Sequence, residues 1–418
     1  MKEQELIPHL FRTEYRNIVS VLCYRFGIEH IEIAEDIVSD TFLSATELWS
    51  FKGLPGNPTA WLYTVAKNKT KNHLKRNTLF DQKISTEVRQ TTSELIEMEI
   101  DLSRKNISDS RLAMMFTVCH PSISADSQIA LALNLLCGFG IQEIADAFLT
   151  NKEVVYKRIN RAKEKLKADQ IQIVQPSVAH ISSHLETVLK TIYLLFSEGY
   201  YSISTHTVLR QDVCEEAMRL NQMLIENPTT STPSAKALQA LMYFHASRFP
   251  ARIADNGDAI LYHDQDQSLW NRDLIAKGTL LLNGAATGSQ LSRYHMEAGI
   301  AYWHTQKEDT AEKWEAILDL YNMLLILEYS PIAALNRTYA LGKVRGKQVA
   351  IDEAEKLQLI DNSFYYSLLG SLYTDINSAK ALENYQSALK FSSSAADQKT
   401  ILKHICKLKE LGPDLSIP

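Results

Sequence analysis

Apolar residues recur at helical spacing along nearly the whole chain, and little interrupts them. In residues 33–49, Ile33, Ile37, Phe42, Ala45 and Trp49 fall near one face of a helix. Residues 10–26 and 58–76 have the same amphipathic character. Breakers are scarce, with 15 Gly and 11 Pro among 418 residues. An all-β chain needs many more turns, so the expected fold class is all-α. Gly27 and the cluster at 53–58 punctuate the first three segments. Further breaks stand at 227–233, 256–257, 284–288 and 343–346, which divide the second half into helix pairs.

The composition, 45% hydrophobic and 22% charged, suits a folded chain rather than a disordered one. No run of about 18 apolar residues occurs, and residues 1–10 lack the apolar centre of a signal peptide. Neither membrane insertion nor secretion is expected. The five cysteines are scattered, with no CxxC pair. That argues against a zinc ribbon or a disulfide framework and places the chain in a reducing cytoplasm.

The net charge is −5, and it is unevenly spread. Residues 1–170 carry 22 basic and 22 acidic residues, so the whole deficit lies beyond them. A protein that coats nucleic acid is basic overall. Here any nucleic-acid contact has to come from local patches, and two patches qualify.

The first lies at 141–167, which reads as helix, tight turn, helix. Ala145 is small where a second helix crosses, and Thr150-x-x-Glu153 is a capping box that starts the second helix. Val155, Ile159, Ala162 and Leu166 form its apolar back. Lys152, Glu153, Tyr156, Lys157, Asn160 and Arg161 form its front. Seven Lys/Arg against two Glu at 151–167 suit a major-groove helix, which needs donors for phosphates and base edges. The bland alternative is a solvated basic helix.

The second patch is at 57–76. Trp61, Leu62, Val65 and Ala66 make an apolar stripe. Five basic residues and no acid follow at 67–76, interleaved with Asn68, Asn72 and His73. Charges track phosphates, and amides or rings hold unstacked bases, so this pattern suits capture of an opened strand. Trp61 itself reads better as core, and the 67–76 face as the nucleic-acid surface. Between Phe26 and Phe51 there are instead six acids and no Lys or Arg. The face of Glu32, Glu35, Asp36, Asp40 and Glu47 suits a basic partner or plain solvent, not DNA.

In the order 34–42 (Ala-Glu-Asp-Ile-Val-x-Asp-Thr-Phe), 61–68 (Trp-Leu-Tyr-x-Val-Ala-x-Asn), Lys75-Arg76, Glu143-Ile144-Ala145 and 158–162 (Arg-Ile-x-Arg-Ala), the chain resembles bacterial sigma-70-type initiation factors of the extracytoplasmic-function (ECF) class. Residues 115–121, 136–139, 197–200, Asp264-Gln265-Asp266-x-x-x-Trp270 and 331–337 look like one subgroup of that class, which carries a long tetratricopeptide-like extension. The resemblance implies two small helical sigma domains followed by a helical repeat-like domain. Region 2 would span 1–77, a polar tether 78–108, region 4 109–170, a helical extension 176–285 and repeats 286–418. It implies core RNA polymerase and promoter DNA as partners. Glu35, Asp36, Asp40 and Phe42 would meet the polymerase. Trp61, Asn68, Lys71, Asn72, Lys75 and Arg76 would face the −10 element. Lys152, Glu153, Tyr156, Lys157, Asn160 and Arg161 would face the −35 element. Asp255, Asp264, Asp266 and Trp270 would form a regulatory contact within the chain or with polymerase.

One repeat signature is readable without the resemblance. Leu369-Gly370-x-x-Tyr373…Ala381-x-x-x-Tyr385-x-x-Ala388 puts small residues where two helices approach and aromatics between them. The Asp-rich stretch at 255–266 starts like a calcium loop, but Leu269 and Ile275 stand where Gly and Glu are needed. It is read as helix caps or partners for Arg248 and Arg252, and no metal or cofactor is expected. Neither a phosphate-binding glycine loop nor a nucleophile motif occurs, so no catalysis is expected. The rival reading is a helix-turn-helix regulator with a helical sensor domain, acting without polymerase. It leaves the 67–76 patch and the acidic face unused.

Overall fold

The computed structural model describes residues 3–81, 100–148, 150–200, 210–254, 260, 262–286, 291–392 and 395–411. Among these residues the chain is helical throughout and no β-sheet forms. It divides into two compact units, Met1–Leu195 and Phe196–Pro418.

In the first unit, α1 (Glu3–Phe26), α2 (Ile31–Lys52) and α3 (Pro58–Asp81) match the three amphipathic segments read from the sequence. Ile18, Leu22, Ile31, Val38 and Leu62 are almost fully buried. Each such side chain contributes about 1.5–3 kcal/mol through burial. The next helices are α4 (Arg104–Val118), α5 (Ala125–Leu131), α6 (Ile141–Ala147) and α7 (Lys152–Ala168). A π-helical turn at Ala132–Leu136 extends α5 and ends at Gly138. Gly138 has φ 76°, and a Cβ there would lie 3.3 Å from the backbone oxygen of Arg12, so only glycine lets this turn close on α1. Helix α1 packs on α4 as fully as on α2. The two halves of the unit therefore share a helix.

The boundary also differs from the sequence reading, which starts the extension at 176. Helix α8 (Val178–Tyr200) gives the first unit Ile181, Leu185, Val188 and Ile192, all buried. Thr191 donates to Gln128 Oε1 at 2.9 Å, and the same amide donates to the carbonyls of Cys119, His120 and Ile123. This satisfied buried amide ties α8 to the loop after α4.

The second unit is a succession of helices, each packed chiefly on its near neighbours in sequence: α9 (Gln211–Glu226), α10 (Pro233–Ala246), α11 (Arg272–Ala285), α12 (Arg293–Trp303), α13 (Ala311–Leu327), α14 (Pro331–Arg345), α15 (Lys347–Leu357), α16 (Ser363–Tyr373), α17 (Ser378–Phe391) and α18 (Ala395–Leu411). Starts are set by local chemistry. Thr232 and Ser330 cap α10 and α14, each followed by Pro at the first helical position. The pair α16–α17 buries Leu369, Tyr373, Ala381, Tyr385 and Ala388, the positions singled out in sequence.

Candidate nucleic-acid interface

Helix α7 is built as its pattern requires. Val155, Ile159, Ala162 and Leu166 are at most 3% exposed. Lys152, Glu153, Tyr156, Lys157 and Arg161 face solvent, and Asn160 is half-buried. The helix starts one residue later than the expected cap. Asn151, not Thr150, accepts the Val154 N–H at 2.9 Å, because its amide oxygen reaches the third residue of the helix. The preceding α6 crosses it at Ala145, which is fully buried.

On α3, Asn68 and Asn72 are exposed one turn apart, and Lys67, Lys69 and Lys71 are half-buried beside them. Trp61 is half-buried and meets Trp49 edge to face at 5.3 Å, so it packs as core on one side. Tyr63, Thr64 and Lys67 line a recess with Ile100, Asp101 and Leu102 that sequence reasoning did not find. Lys75 and Arg76 lie on the last turns of α3, and their side chains are outside the described residues.

The acidic helix α2 does not present one continuous face. Asp36, Asp40 and Glu47 are exposed. Glu35 is not free: Lys163 Nζ sits 2.7 Å from its Oε2, with side-chain exposures of 8% and 20%. Lys167 pairs with Glu32 at 2.5 Å. Burial pushes Glu32 upward, but the Lys167 hydrogen bond and charge outweigh it and hold the carboxyl below its ordinary range. Two lysines of α7, counted in sequence with its basic face, therefore sit at its back against α2. Arg12 of α1 pairs with Glu143 of α6 at 3.2 Å, a third link between the halves. Phe42 is only 4% exposed and packs on Phe11 at 5.0 Å, so it supports the helix and presents no surface. Leu43 and Phe51, which the sequence reading passed over, are 58% and 90% exposed beside the remaining acids. Their signal was present: an apolar residue outside the helical period of its own segment.

The Asp-rich motif disperses. Asp255 lies outside the described residues. Asp264 is exposed on a short helical turn. Asp266 accepts the Ser268 N–H at 2.8 Å, and this bond holds its carboxyl below the ordinary value. Trp270 is 3% exposed and presents no surface in this arrangement. Neither described Asp pairs with Arg248 or Arg252. Those guanidiniums gather at Tyr200 instead, Arg248 by a 3.3 Å hydrogen bond to its hydroxyl and Arg252 over its ring at 3.9 Å. Among the described residues no three His, Cys, Asp or Glu side chains are grouped to hold a metal ion, and no helix is long and apolar enough to cross a membrane.

Comparison with known proteins meets this geometry at both ends. Residues 10–79, which hold α1–α3, match the family Sigma-70 region 2. Residues 184–286 match a family of unknown function, DUF6596. The uncharacterized protein R00370 of Rhizobium meliloti (strain 1021) is 30% identical over 376 residues, 88% of each chain. The chain belongs to one family with this rhizobial protein. Its first domain is that of a sigma-70-type factor. The RNA polymerase sigma factor YlaC of Bacillus subtilis (strain 168) is 28% identical over 169 residues, covering 40% of this chain and 93% of that one. The likeness to YlaC thus spans about the length of the first unit.

Proposed function

We propose that this chain is a sigma factor of the ECF class. It binds core RNA polymerase and directs promoter-specific initiation, with a fused tetratricopeptide-like regulatory domain. The observation that carries the reading is the coupling, in one compact unit, of a sigma-70 region 2 domain to a helix-turn-helix whose basic face is solvent-exposed. A regulator acting without polymerase gives no reason for the first of these.

In this reading α7 takes the −35 element, with Lys152, Lys157 and Arg161 on phosphates and Asn160 on a base edge. Helix α3 takes the −10 element as it opens, through Asn68, Lys71 and Asn72. The polymerase meets Asp36, Asp40, Leu43 and Phe51 of α2. Engaging separate promoter elements requires α7 to leave α2, so Lys163 and Lys167 must release Glu35 and Glu32. The chain supplies binding and strand capture in the cytoplasm, and the chemistry belongs to polymerase.

The test is transcription of fragmented genomic DNA by core polymerase with and without the full-length chain, followed by sequencing of transcript 5′ ends. The expected result is a set of new start sites sharing two upstream elements. No starts beyond those of core alone would sink the proposal.

A further inference from the structure

The region that matches the family of unknown function holds a concentration of positive charge with nothing described to balance it. Arg248 is 8% exposed, and its Nε has no hydrogen-bond partner. Arg252 lies over the Tyr200 ring and leaves Nη1 unpartnered. The backbone N–H of Asn271 donates to Ser247 O at 2.8 Å, and Trp270 stacks on Tyr262 at 6.3 Å. The indole Nε1 of Trp270 is likewise buried and unpartnered, and so is Nδ1 of His245, whose ring lies tilted against Tyr200 at 4.5 Å. A further cation closes the cluster. Lys313, 1% exposed, donates to the Tyr262 hydroxyl at 3.2 Å, and Tyr262 also lies under the Arg248 guanidinium. Asp309, the carboxylate that faces Lys313 and His304, is engaged by Trp314 and Lys343.

Buried guanidiniums left unpaired carry a large desolvation penalty. Orphaned donors on three different side chains add to it. The histidines register the same field. Burial first, and then the charges of Arg248 and Arg252, push His245 far below its ordinary value; burial, Arg248 and Lys313 push His304 down to about 3. A site lined by two arginine forks, an indole N–H and aromatic walls is suited to an oxyanion.

We propose that Arg248 and Arg252, with Trp270 Nε1, form a binding site for a small oxyanion, the carboxylate or phosphate group of a ligand that this domain senses. The anion bridges the two guanidiniums across Tyr200 and accepts from the indole. Tyr200 and Tyr262 flank it and select a ligand with a flat body. The site stands whether or not the first unit acts on a promoter, because its test reads binding and not transcription.

The chain's own acids at 255 and 258 are the rival neutralisers, since they are the next acids after Arg252 in sequence. The experiment uses the full-length chain in chloride buffer of fixed ionic strength, titrated with potassium phosphate and, separately, potassium acetate. Calorimetry and the melting midpoint are the readouts. Saturable binding of at least one anion is expected, with a midpoint that climbs with concentration. Arg252→Gln should weaken it at least tenfold with far-UV circular dichroism unchanged. Arg252→Lys, which keeps charge but not the fork, should fall between. A response to phosphate alone names a phosphoryl ligand, and a response to acetate alone names a carboxylate. If the wild-type chain binds neither, the proposal is overturned. If Asp255→Asn/Asp258→Asn then binds where wild type does not, the chain neutralises its own arginines. Equal binding by wild type and Arg252→Gln overturns the proposal as well, by placing the anion elsewhere.

Discussion

Lys163 Nζ lies 2.7 Å from Glu35 Oε2 and joins the back of the basic helix α7 to the acidic helix α2, 128 residues away. Both side chains are largely withdrawn from water. Removing one partner leaves the other charge poorly solvated. Lys163→Met should therefore destabilise the first unit by about 1–3 kcal/mol. Lys163→Met combined with Glu35→Gln should recover most of that loss. Urea unfolding of the four members of the cycle measures it. Additive losses would mean that the pair is not coupled.

On DNA, the exposed face of α7 divides by chemistry. Lys157→Ala and Arg161→Ala should each weaken binding across all sequences and reduce the salt slope by about 1. Asn160→Ala should cost about 1–3 kcal/mol at one base pair and relax preference there. Binding measured at several salt concentrations on wild-type and altered promoters separates the two. An unchanged slope in Lys157→Ala removes its phosphate role.

Where a side chain answers to its own helix, the sequence is a sufficient guide. Val155, Ile159, Ala162 and Leu166 face inward because four apolar residues at that spacing have one way to leave water. Lys163 and Lys167 could not be placed the same way. They flank the apolar seam, and only the arrival of Glu35 and Glu32 from α2 turns them inward. Trp270 reads as a surface anchor until the Asn271–Ser247 bond is seen to draw it under. The late start of the second unit has a similar cause, since nothing local shows that Thr191 answers the buried amide of Gln128. One local signal was passed over. His180 and His184 stand four residues apart on α8 and meet edge to face at 4.4 Å, and His184 stacks on His120 at 5.4 Å.

The exposed strip of α2 mixes charge with apolar surface, as an anchor with a charged rim does. Asp36→Lys/Asp40→Lys should slow and weaken capture of core polymerase, more at low salt than at high salt. Phe51→Ala should weaken it at all salt concentrations, because its 90% exposed ring gains by burial. Pull-down at two ionic strengths reads both. Retention of full binding by the triple variant would assign polymerase contact to another face.

The buried histidines make the second unit acid-sensitive. His304 is held neutral, pushed down to about 3 by burial and then by Arg248 and Lys313, and His245 moves the same way. In the unfolded chain both take up a proton near pH 6.5. The unfolded state therefore binds more protons below that pH. Stability is complete above about pH 6.5 and falls as pH drops toward 3, by up to about 1.4 kcal/mol per pH unit for each histidine. Denaturant unfolding of the second unit at pH 7.5, 6 and 5 should show the decline, and His304→Gln should flatten it. A profile that is level from pH 7.5 to 5 contradicts the burial of both rings.

Helices α16 and α17 meet at Gly370, where an added Cβ would lie 2.9 Å from the Tyr385 ring. That ring has little room to move, being 4% exposed and stacked on His404 at 5.2 Å with planes 5° apart. In an open helix, Gly→Ala gains about 0.5–1 kcal/mol of backbone entropy. Here overpacking costs about 1–3 kcal/mol and decides the sign. Gly370→Ala should lower the melting midpoint of the second unit. Gly284→Ala in α11, where a Cβ meets nothing within 4 Å, should leave it level or raise it. Gly370→Ala/Tyr385→Leu should lose less than the sum of its parts, because the smaller side chain yields the space the methyl needs. If Gly370→Ala behaves like Gly284→Ala, the two helices do not approach as closely as the small residues at 370, 381 and 388 require.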